Sequence, residues 1–212
     1  LGIYDCMSCY LIYHIRRGEK EWTKLEIEGY VGGNKHIPYS NPVFHNGIFY
    51  WIWSSGNLCT YDPKKVEFRF QPRRPSTYVH MSYLFESEEK LMFVWIERYG
   101  ERVTVYGLDE ASMAWKKVNT LGNKIVFLSR NSSLVIDCLE MPGFEDMIFF
   151  NKFIDNNKPI FFSLKTGELG VYDGGHHVIR DFCDILEYQF RSAWIKPNIK
   201  QHHIQELNWY DV

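Results

Sequence analysis

Short apolar runs separated by polar turns follow one another along most of this chain. The clearest group starts with the run 42–45 and the dipeptide Asn46-Gly47, which is typical of a type I′ hairpin turn. Three further runs follow at 48–53, 58–61 and 66–70. Runs of this length, bounded by Gly, Pro, Asn, Asp and Ser, predict four short antiparallel strands.

The same plan recurs before and after this group. Each repeat ends on an apolar residue that follows a turn, and these four anchors are Trp22, Phe68, Trp115 and Val171. They are spaced 46, 47 and 56 residues apart. A period of this size with four strands per repeat is typical of a β-propeller, in which each repeat forms one blade.

The sequence therefore predicts an all-β domain over residues 1–200. We expect a β-propeller with at least four blade-like units of four antiparallel strands, as a full or a partial ring. The units are predicted at about 1–38, 39–80, 81–122 and 123–175, with a closing segment at 176–200 and a C-terminal tail at 201–212. An irregular β-sandwich remains the alternative on pattern alone.

Composition supports an all-β fold and excludes some partners. Aromatic residues make up 17% of the chain, and their side chains pack well on a pleated surface. The net charge of −2 provides no overall field that would attract nucleic acid or an anionic membrane. No apolar run approaches the roughly 20 residues of a membrane-spanning helix. The chain starts at Leu1 without a signal-peptide pattern, so we expect it to be part of a longer protein.

The five cysteines are an odd number, and Cys59, Cys138 and Cys183 lie far apart in the sequence. Free thiols in a reducing compartment fit this distribution better than a disulfide framework, so we expect a cytoplasmic or nuclear location. Cys6 and Cys9 have C-x-x-C spacing, but the run that follows them is strand-like. Because neither a helix nor a second ligand pair accompanies them, we interpret the spacing as coincidental.

The motifs of common enzyme classes are missing from the sequence. It contains no Gly-rich phosphate loop, no H-E-x-x-H and no G-x-S-x-G. The sequence has two pairs of adjacent histidines, His176-His177 and His202-His203. Adjacent side chains on a strand point to opposite faces, so neither pair can chelate one metal ion from a strand. We therefore predict a protein without catalytic residues, bound metal or cofactor.

Loop residues suited to protein binding are the remaining functional signal. Trp, Tyr and Arg dominate the energetics of protein interfaces, so such residues in predicted loops are candidates for contact with a partner. The candidate partner-binding residues are Arg73, Arg74, Tyr78, His80, Arg98, Tyr99 and Arg130.

An ordered set of short motifs carries a family resemblance. The set is Asn46-Gly-Ile-Phe-Tyr50, Leu58-x-x-Tyr-Asp-Pro63, Val105-Tyr-Gly-Leu-Asp109, Trp115-Lys-Lys-Val118, Leu121-Gly-Asn123, Phe127-Leu-Ser-Arg-Asn-Ser-Ser133, Met141-Pro-Gly143 and Ile148-Phe-Phe150. It resembles the plant F-box proteins that carry a C-terminal kelch-like β-propeller. The run Trp194-Ile-Lys-Pro197 is similar to the Trp-Ile-Glu-Pro ending of that family, with Lys196 in place of the acid.

The resemblance implies a non-enzymatic protein-interaction domain, the substrate-receptor part of an SCF-type E3 ubiquitin ligase. A target protein would bind the propeller loops, whereas a Skp-type adaptor and a cullin would bind through an N-terminal helical F-box. Nothing in this chain resembles that F-box. Two other functions remain open: a stand-alone propeller that binds a small ligand or glycan in its central channel, and a propeller hydrolase, which would need clustered catalytic residues.

Overall fold

The computed structural model describes residues 1–5, 9–28, 40, 42–53, 57–73, 81–97, 102–129, 132–154, 158–174 and 176–178. Within these ranges the chain consists of strands and turns, with a 3₁₀ turn at Cys138–Glu140. Strands β1 to β7 are Gly2–Asp5, Cys9–His14, Thr23–Glu28, Val43–His45, Ile48–Ile52, Asn57–Asp62 and Glu67–Arg73. Strands β8 to β13 are Met81–Ser87, Lys90–Ile96, Val103–Asp109, Ala114–Val118, Lys124–Leu128 and Ser133–Asp137. Strands β14 to β17 are Met147–Ile154, Lys158–Ser163, Glu168–Tyr172 and His176–Val178.

The strands form four sheets that follow the order of the chain. Sheet 1 contains β1 to β3, sheet 2 contains β4 to β7 and sheet 3 contains β8 to β11, and within each sheet consecutive strands pair antiparallel. Sheet 4 has six strands in the order β13-β12-β14-β15-β16-β17. Here β12 pairs with β14 in parallel, because β13 forms a hairpin with β12 and reverses the chain before β14 begins.

Consecutive sheets pack face to face through apolar clusters. Tyr10 and Ile12 of sheet 1 pack with Trp51 and Trp53 of sheet 2. A second cluster joins sheets 2 and 3, and a third joins sheets 3 and 4. Among the described residues no core cluster joins sheet 4 to sheet 1, so the sheets form an open series over this part of the chain. Four sheets in series exclude the two-sheet β-sandwich alternative.

The sequence of β5 shows why some strands are apolar throughout. Tyr50 and Ile52 point towards sheet 3, whereas Trp51 and Trp53, in β5 and directly after it, point towards sheet 1. Strand β9 behaves in the same way, since Leu91–Ile96 is buried at every position. A strand with both faces covered needs no polar face, and its sequence becomes a continuous apolar run.

Three turns share one geometry and mark the internal repeat. Asp62 and Asp109 each accept hydrogen bonds through Oδ1 from the N–H groups two and three residues later. Ser163 takes the corresponding place in sheet 4, where its Oγ accepts from Thr166 N. Each turn ends on a residue with positive φ, namely Val66 (55°), Met113 (49°) and Gly167 (73°). The repeat predicted from sequence is therefore visible in the local backbone.

Two of the four predicted repeat anchors, Val171 and Trp22, are wrong. Phe68 and Trp115 are the second residues of β7 and β11, and each packs against the preceding sheet. The turn that ends at Gly167 sets where β16 begins. The second residue of β16, which corresponds to Phe68 and Trp115, is therefore Leu169 rather than Val171. Trp22 lies before β3 and is 57% exposed, since the longer turn in sheet 1 places it outside the packed face.

Candidate functional site

Turns of sheets 1 to 3 lie at one end of these sheets, which we call the turn end. They are the turns at 15–22, 46–47, 63–66, 88–89 and 110–113, and each closes an antiparallel pair. Contacts between sheets place them side by side. The Arg16 guanidinium donates to Pro63 O, Asn46 Nδ2 lies 3.4 Å from Glu110 Oε1, and Lys124 Nζ lies 3.6 Å from Glu88 Oε1.

A buried histidine joins sheets 2 and 3 at the turn end. His45 is the last residue of β4, and its side chain is 0% exposed. Its Nε2 lies 2.6 Å from Glu110 Oε1, and its Nδ1 lies 3.3 Å from Glu86 Oε1. The Nδ1 contact lacks hydrogen-bond geometry, so it is not a directed hydrogen bond. Both carboxylates come from sheet 3 and remain partly exposed, at 43% and 41% of their side chains.

A cleft beside this histidine opens between strands β5 to β7 of sheet 2 and the 110–113 turn. Its volume is about 160 Å³, and it is lined by Ile48, Tyr50, Thr60, Asp62, Lys65, Glu67, Arg69 and Met113. Burial, and then the charge of Glu110, raise the pKa of the Tyr50 hydroxyl. Glu67 and Arg69 form a two-point ion pair, with both N–O distances at 2.8 Å. The lining charges balance, so the cleft has no strong preference for an anion or a cation.

A second cleft of about 220 Å³ lies on the outer face of sheet 4, beside Met147 and Phe161. Both clefts are smaller than the roughly 300 Å³ at which small-molecule sites usually begin. Within the described residues, no three His, Cys, Asp or Glu side chains converge to hold a metal ion.

Polar contacts also fix the start of sheet 4. Lys124 Nζ lies 2.9 Å from Asp137 Oδ2, and this hydrogen bond raises the pKa of Lys124 and lowers that of Asp137. Asp146 is buried with φ at 62°, and its Oδ1 accepts from Thr120 Oγ1 at 2.8 Å and Leu121 N at 2.5 Å. The segment between β11 and β12 is thereby fixed to the start of β14.

Exposed side chains at the turn end resemble the residues that dominate protein interfaces. Trp22 is 57% exposed, and the neighbouring Arg16 and Arg17 are also exposed. Trp and Arg are enriched among residues that contribute most to binding. Trp22 was predicted as an anchor of the repeat, so this surface was missed. Its only sequence signal is the charged turn that precedes it.

Of the seven residues predicted to bind a partner, the structure describes the backbone of Arg73, at the end of β7. Asn57 pairs with Arg73 and Met81 pairs with Ile96, so these strand ends lie away from the turns described above. Arg73 closes β7, but its side chain is outside what the structure describes. The other six candidates lie outside the described residues: Arg74, Tyr78, His80, Arg98, Tyr99 and Arg130. The set therefore stays a prediction.

Cys59 and Cys138 are free thiols in the core. Burial raises the pKa of Cys59 well above its usual range, so this thiol is not a nucleophile in the folded chain. No helix among the described residues has the length and apolar character needed to cross a bilayer.

Antiparallel sheets that repeat along the chain and pack face to face in series define a β-propeller domain. The chain belongs to the KIB1-4 beta-propeller family, which it matches over residues 2–173. This match confirms the predicted fold. Together with the relatives described next, it also confirms the predicted kinship with plant F-box proteins that carry a propeller.

Two proteins of Arabidopsis thaliana are similar in sequence. The F-box protein At3g56470 is 27% identical over 116 residues, covering 54% of this chain and 31% of that protein. The F-box/kelch-repeat protein At1g57790 is 23% identical over 188 residues, covering 85% of this chain and 50% of that protein. The chain thus spans a third to a half of the length of these curated relatives. The structure of YjhT is a weak structural match, with a TM-score of 0.39 and 9% identity over 82% of this chain and 78% of that one.

Proposed function

We propose that this chain is the target-binding domain of an F-box protein that acts in an SCF-type E3 ubiquitin ligase. The propeller fold and the F-box relatives support a protein-interaction role. The observation that carries the proposal is the family match over residues 2–173, combined with relatives whose names include the F-box. In this role a target protein binds the propeller surface, and the chain itself contributes no catalytic group.

The described geometry suits such a role. Paired sheets hold the turns rigidly, so exposed side chains at the turn end are presented with little freedom to lose on binding. A Skp-type adaptor and a cullin would bind through an F-box elsewhere in the protein, and ubiquitin transfer would occur on other subunits. The free buried thiols Cys59 and Cys138 support a reducing location, which we propose to be the cytoplasm or the nucleus.

Affinity capture from plant extract tests the proposal. Full-length protein and the propeller chain alone are immobilised in parallel, and bound proteins are identified by mass spectrometry. We expect an adaptor and a cullin only with the full-length protein, and a shared set of other proteins with both. Recovery of adaptor and cullin by the propeller alone, or the lack of any shared protein, would contradict this assignment.

Two double variants locate the binding surface within the same experiment. Strand β7 is preceded in sequence by Lys64 and Lys65, and it ends with Arg73, which Arg74 follows. Changing either pair to alanine removes two positive charges, so the variants are matched in charge. We expect Arg73→Ala with Arg74→Ala to lose a captured protein that the lysine pair retains. Loss with the lysine pair instead would assign binding to the turn end.

A further inference from the structure

The cleft between sheet 2 and the 110–113 turn has the size of a site for a single side chain. Its volume of about 160 Å³ is roughly half that at which small-molecule sites usually begin. We propose that it receives one uncharged side chain of the target protein, with an apolar body and a hydrogen-bonding amide end, as in glutamine. The proposal rests on the proposed target-binding function, and it adds a second contact to the one predicted at Arg73 and Arg74.

Apolar side chains form two walls of the cleft. Ile48 and Tyr50 lie on the face of sheet 2 that is turned towards sheet 3, and Met113 closes the cleft from the 110–113 turn. Ile48 and Met113 are partly buried and pack against the same apolar cluster. An alkyl chain placed between them is removed from water on both sides, which is how pockets in protein interfaces hold the side chains of a partner.

The charges that line the cleft are already paired with one another. Glu67 and Arg69 form an ion pair through two N–O distances of 2.8 Å. Lys65 Nζ lies 3.6 Å from Asp62 Oδ2. A charged guest would therefore lose its hydration and find each opposite charge engaged. Complementarity to such a rim requires an uncharged guest, and the paired side chains exclude water around it.

The Tyr50 hydroxyl supplies a hydrogen bond to the guest. Tyr50 lines the cleft and is 5% exposed, and its hydroxyl has no hydrogen-bond partner among the residues that the structure describes. A purely alkyl side chain would cut this hydroxyl off from water without replacing the bond, which costs free energy. An amide end carries both a carbonyl and an NH₂ group, so it can accept from the hydroxyl or donate to it.

Three small probes test the chemistry of the cleft at neutral pH. They are N-acetyl-glutaminamide, the amide of N-acetyl-glutamate, which has the same shape but a charge, and N-acetyl-methioninamide, which lacks the amide end. They are titrated into the full chain, and NMR spectra of its ¹³C-labelled Ile and Met methyl groups report binding. We expect the glutamine probe to shift the signals of Ile48 and Met113 with half-saturation at about 1–10 mM. The signals of Ile160 and Met92, in the cluster between sheets 3 and 4, should stay in place.

The order of the probes is the decisive result. The methionine probe should bind about threefold to tenfold more weakly than the glutamine probe, and the glutamate probe should bind more weakly than both. Tyr50→Phe removes the hydroxyl and should erase the preference for glutamine over methionine. Tyr83→Phe, in the cluster between sheets 3 and 4, should retain it. No shift at Ile48 and Met113 with the glutamine probe, or equal affinity for all three probes, would overturn the proposal on the wild type alone.

Capture from plant extract separates this proposal from the proposed function. Met113→Lys places a charge in the cleft, and in the full-length protein it should lower recovery of the shared set of captured proteins by about tenfold or more. Met113→Leu keeps an uncharged wall and should preserve recovery, and methyl spectra verify that both variants are folded. Unchanged recovery with Met113→Lys would overturn the cleft proposal but not the target-binding function. If the wild type captured no shared protein, the function itself would be contradicted, whatever the probes show.

Discussion

His14 lies at the end of β2, where it is 3% exposed and shares a hydrogen bond of 2.7 Å with the Tyr61 hydroxyl of sheet 2. Burial, followed by the charge of Arg16, lowers the pKa of this ring below 6.5. The ring is therefore neutral in the folded chain at neutral pH. His45 has different surroundings, since a carboxylate oxygen lies 2.6 Å from its Nε2 and another lies 3.3 Å from its Nδ1.

The lowered pKa of His14 predicts loss of stability in mild acid. The unfolded chain takes up a proton on this ring near pH 6.5, whereas the folded chain resists it, so protonation favours unfolding. The contribution is complete above that pH and is lost as the pH falls. In denaturant unfolding between about pH 7 and pH 5, the wild type should lose stability more steeply than His14→Asn, which does not titrate. Parallel slopes for the two proteins would show that the ring takes up its proton at the same pH in the folded and the unfolded chain, and would contradict the prediction.

At the scale of the element, the turn that ends at Val66 holds a β-branched residue at a φ of 55°. Non-glycine residues in this region cost on the order of 1–3 kcal/mol, and β-branched residues are especially unfavourable there. The corresponding position in sheet 4 is Gly167, which adopts a φ of 73° without this cost. The same turn is therefore more strained in sheet 2 than in sheet 4.

Substitution of Val66 by glycine should stabilise the protein by about 1 kcal/mol, because relief of strain exceeds the entropy that glycine loses on folding. Val66 is 37% exposed, so little burial is lost. Chemical unfolding measures the change. Lys64→Gly, in the same turn but without a positive φ, serves as the control and should cost up to about 1 kcal/mol. If both substitutions destabilised the protein equally, the turn would not be strained.

The sequence predicted those turns and strands whose signals lie in a few neighbouring residues. Asn46-Gly47 forms the expected turn, with φ of 47° and 83°, and the apolar runs of β5 and β9 are strands. The parallel pairing of β12 with β14 was not predictable, because it depends on where the β13 hairpin places the chain. The His45 cluster was missed for a similar reason: its members meet only after two sheets have packed. Trp22 was misplaced as an anchor because the spacing of the repeat does not show that β3 begins only at Thr23.

At the scale of the whole molecule, the strands of sheet 2 and sheet 3 contribute to clusters on both of their faces. Phe93 is fully buried between these sheets, with its ring 5.4 Å from Trp115 and 6.2 Å from Tyr106. Its neighbours Met92 and Val94 point the other way, into the cluster shared with sheet 4. A change in the packing of one cluster therefore affects the next cluster, because the same strand contributes side chains to both.

Phe93→Ala should lower the free energy of unfolding by about 3–5 kcal/mol, because it leaves a cavity in a packed cluster. Tryptophan fluorescence and thiol labelling of Cys59, which lies between sheets 1 and 2, should report the same unfolding transition. Phe44→Ala is the matched control, since Phe44 is 55% exposed and its loss should cost about 1 kcal/mol or less. If labelling of Cys59 were unaffected by Phe93→Ala, the sheets would unfold independently.

The serial packing of the sheets also has a consequence during synthesis on the ribosome. Sheet 2 is complete once Arg73 has been made, but the face that carries Tyr50, Ile52 and Leu58 is covered only when sheet 3 ends at Val118. At typical translation rates that interval lasts roughly 2–9 s. During this time the nascent chain exposes a broad apolar face and an unpaired sheet edge, both of which promote aggregation. A chain built in this order depends on chaperone protection between one sheet and the next.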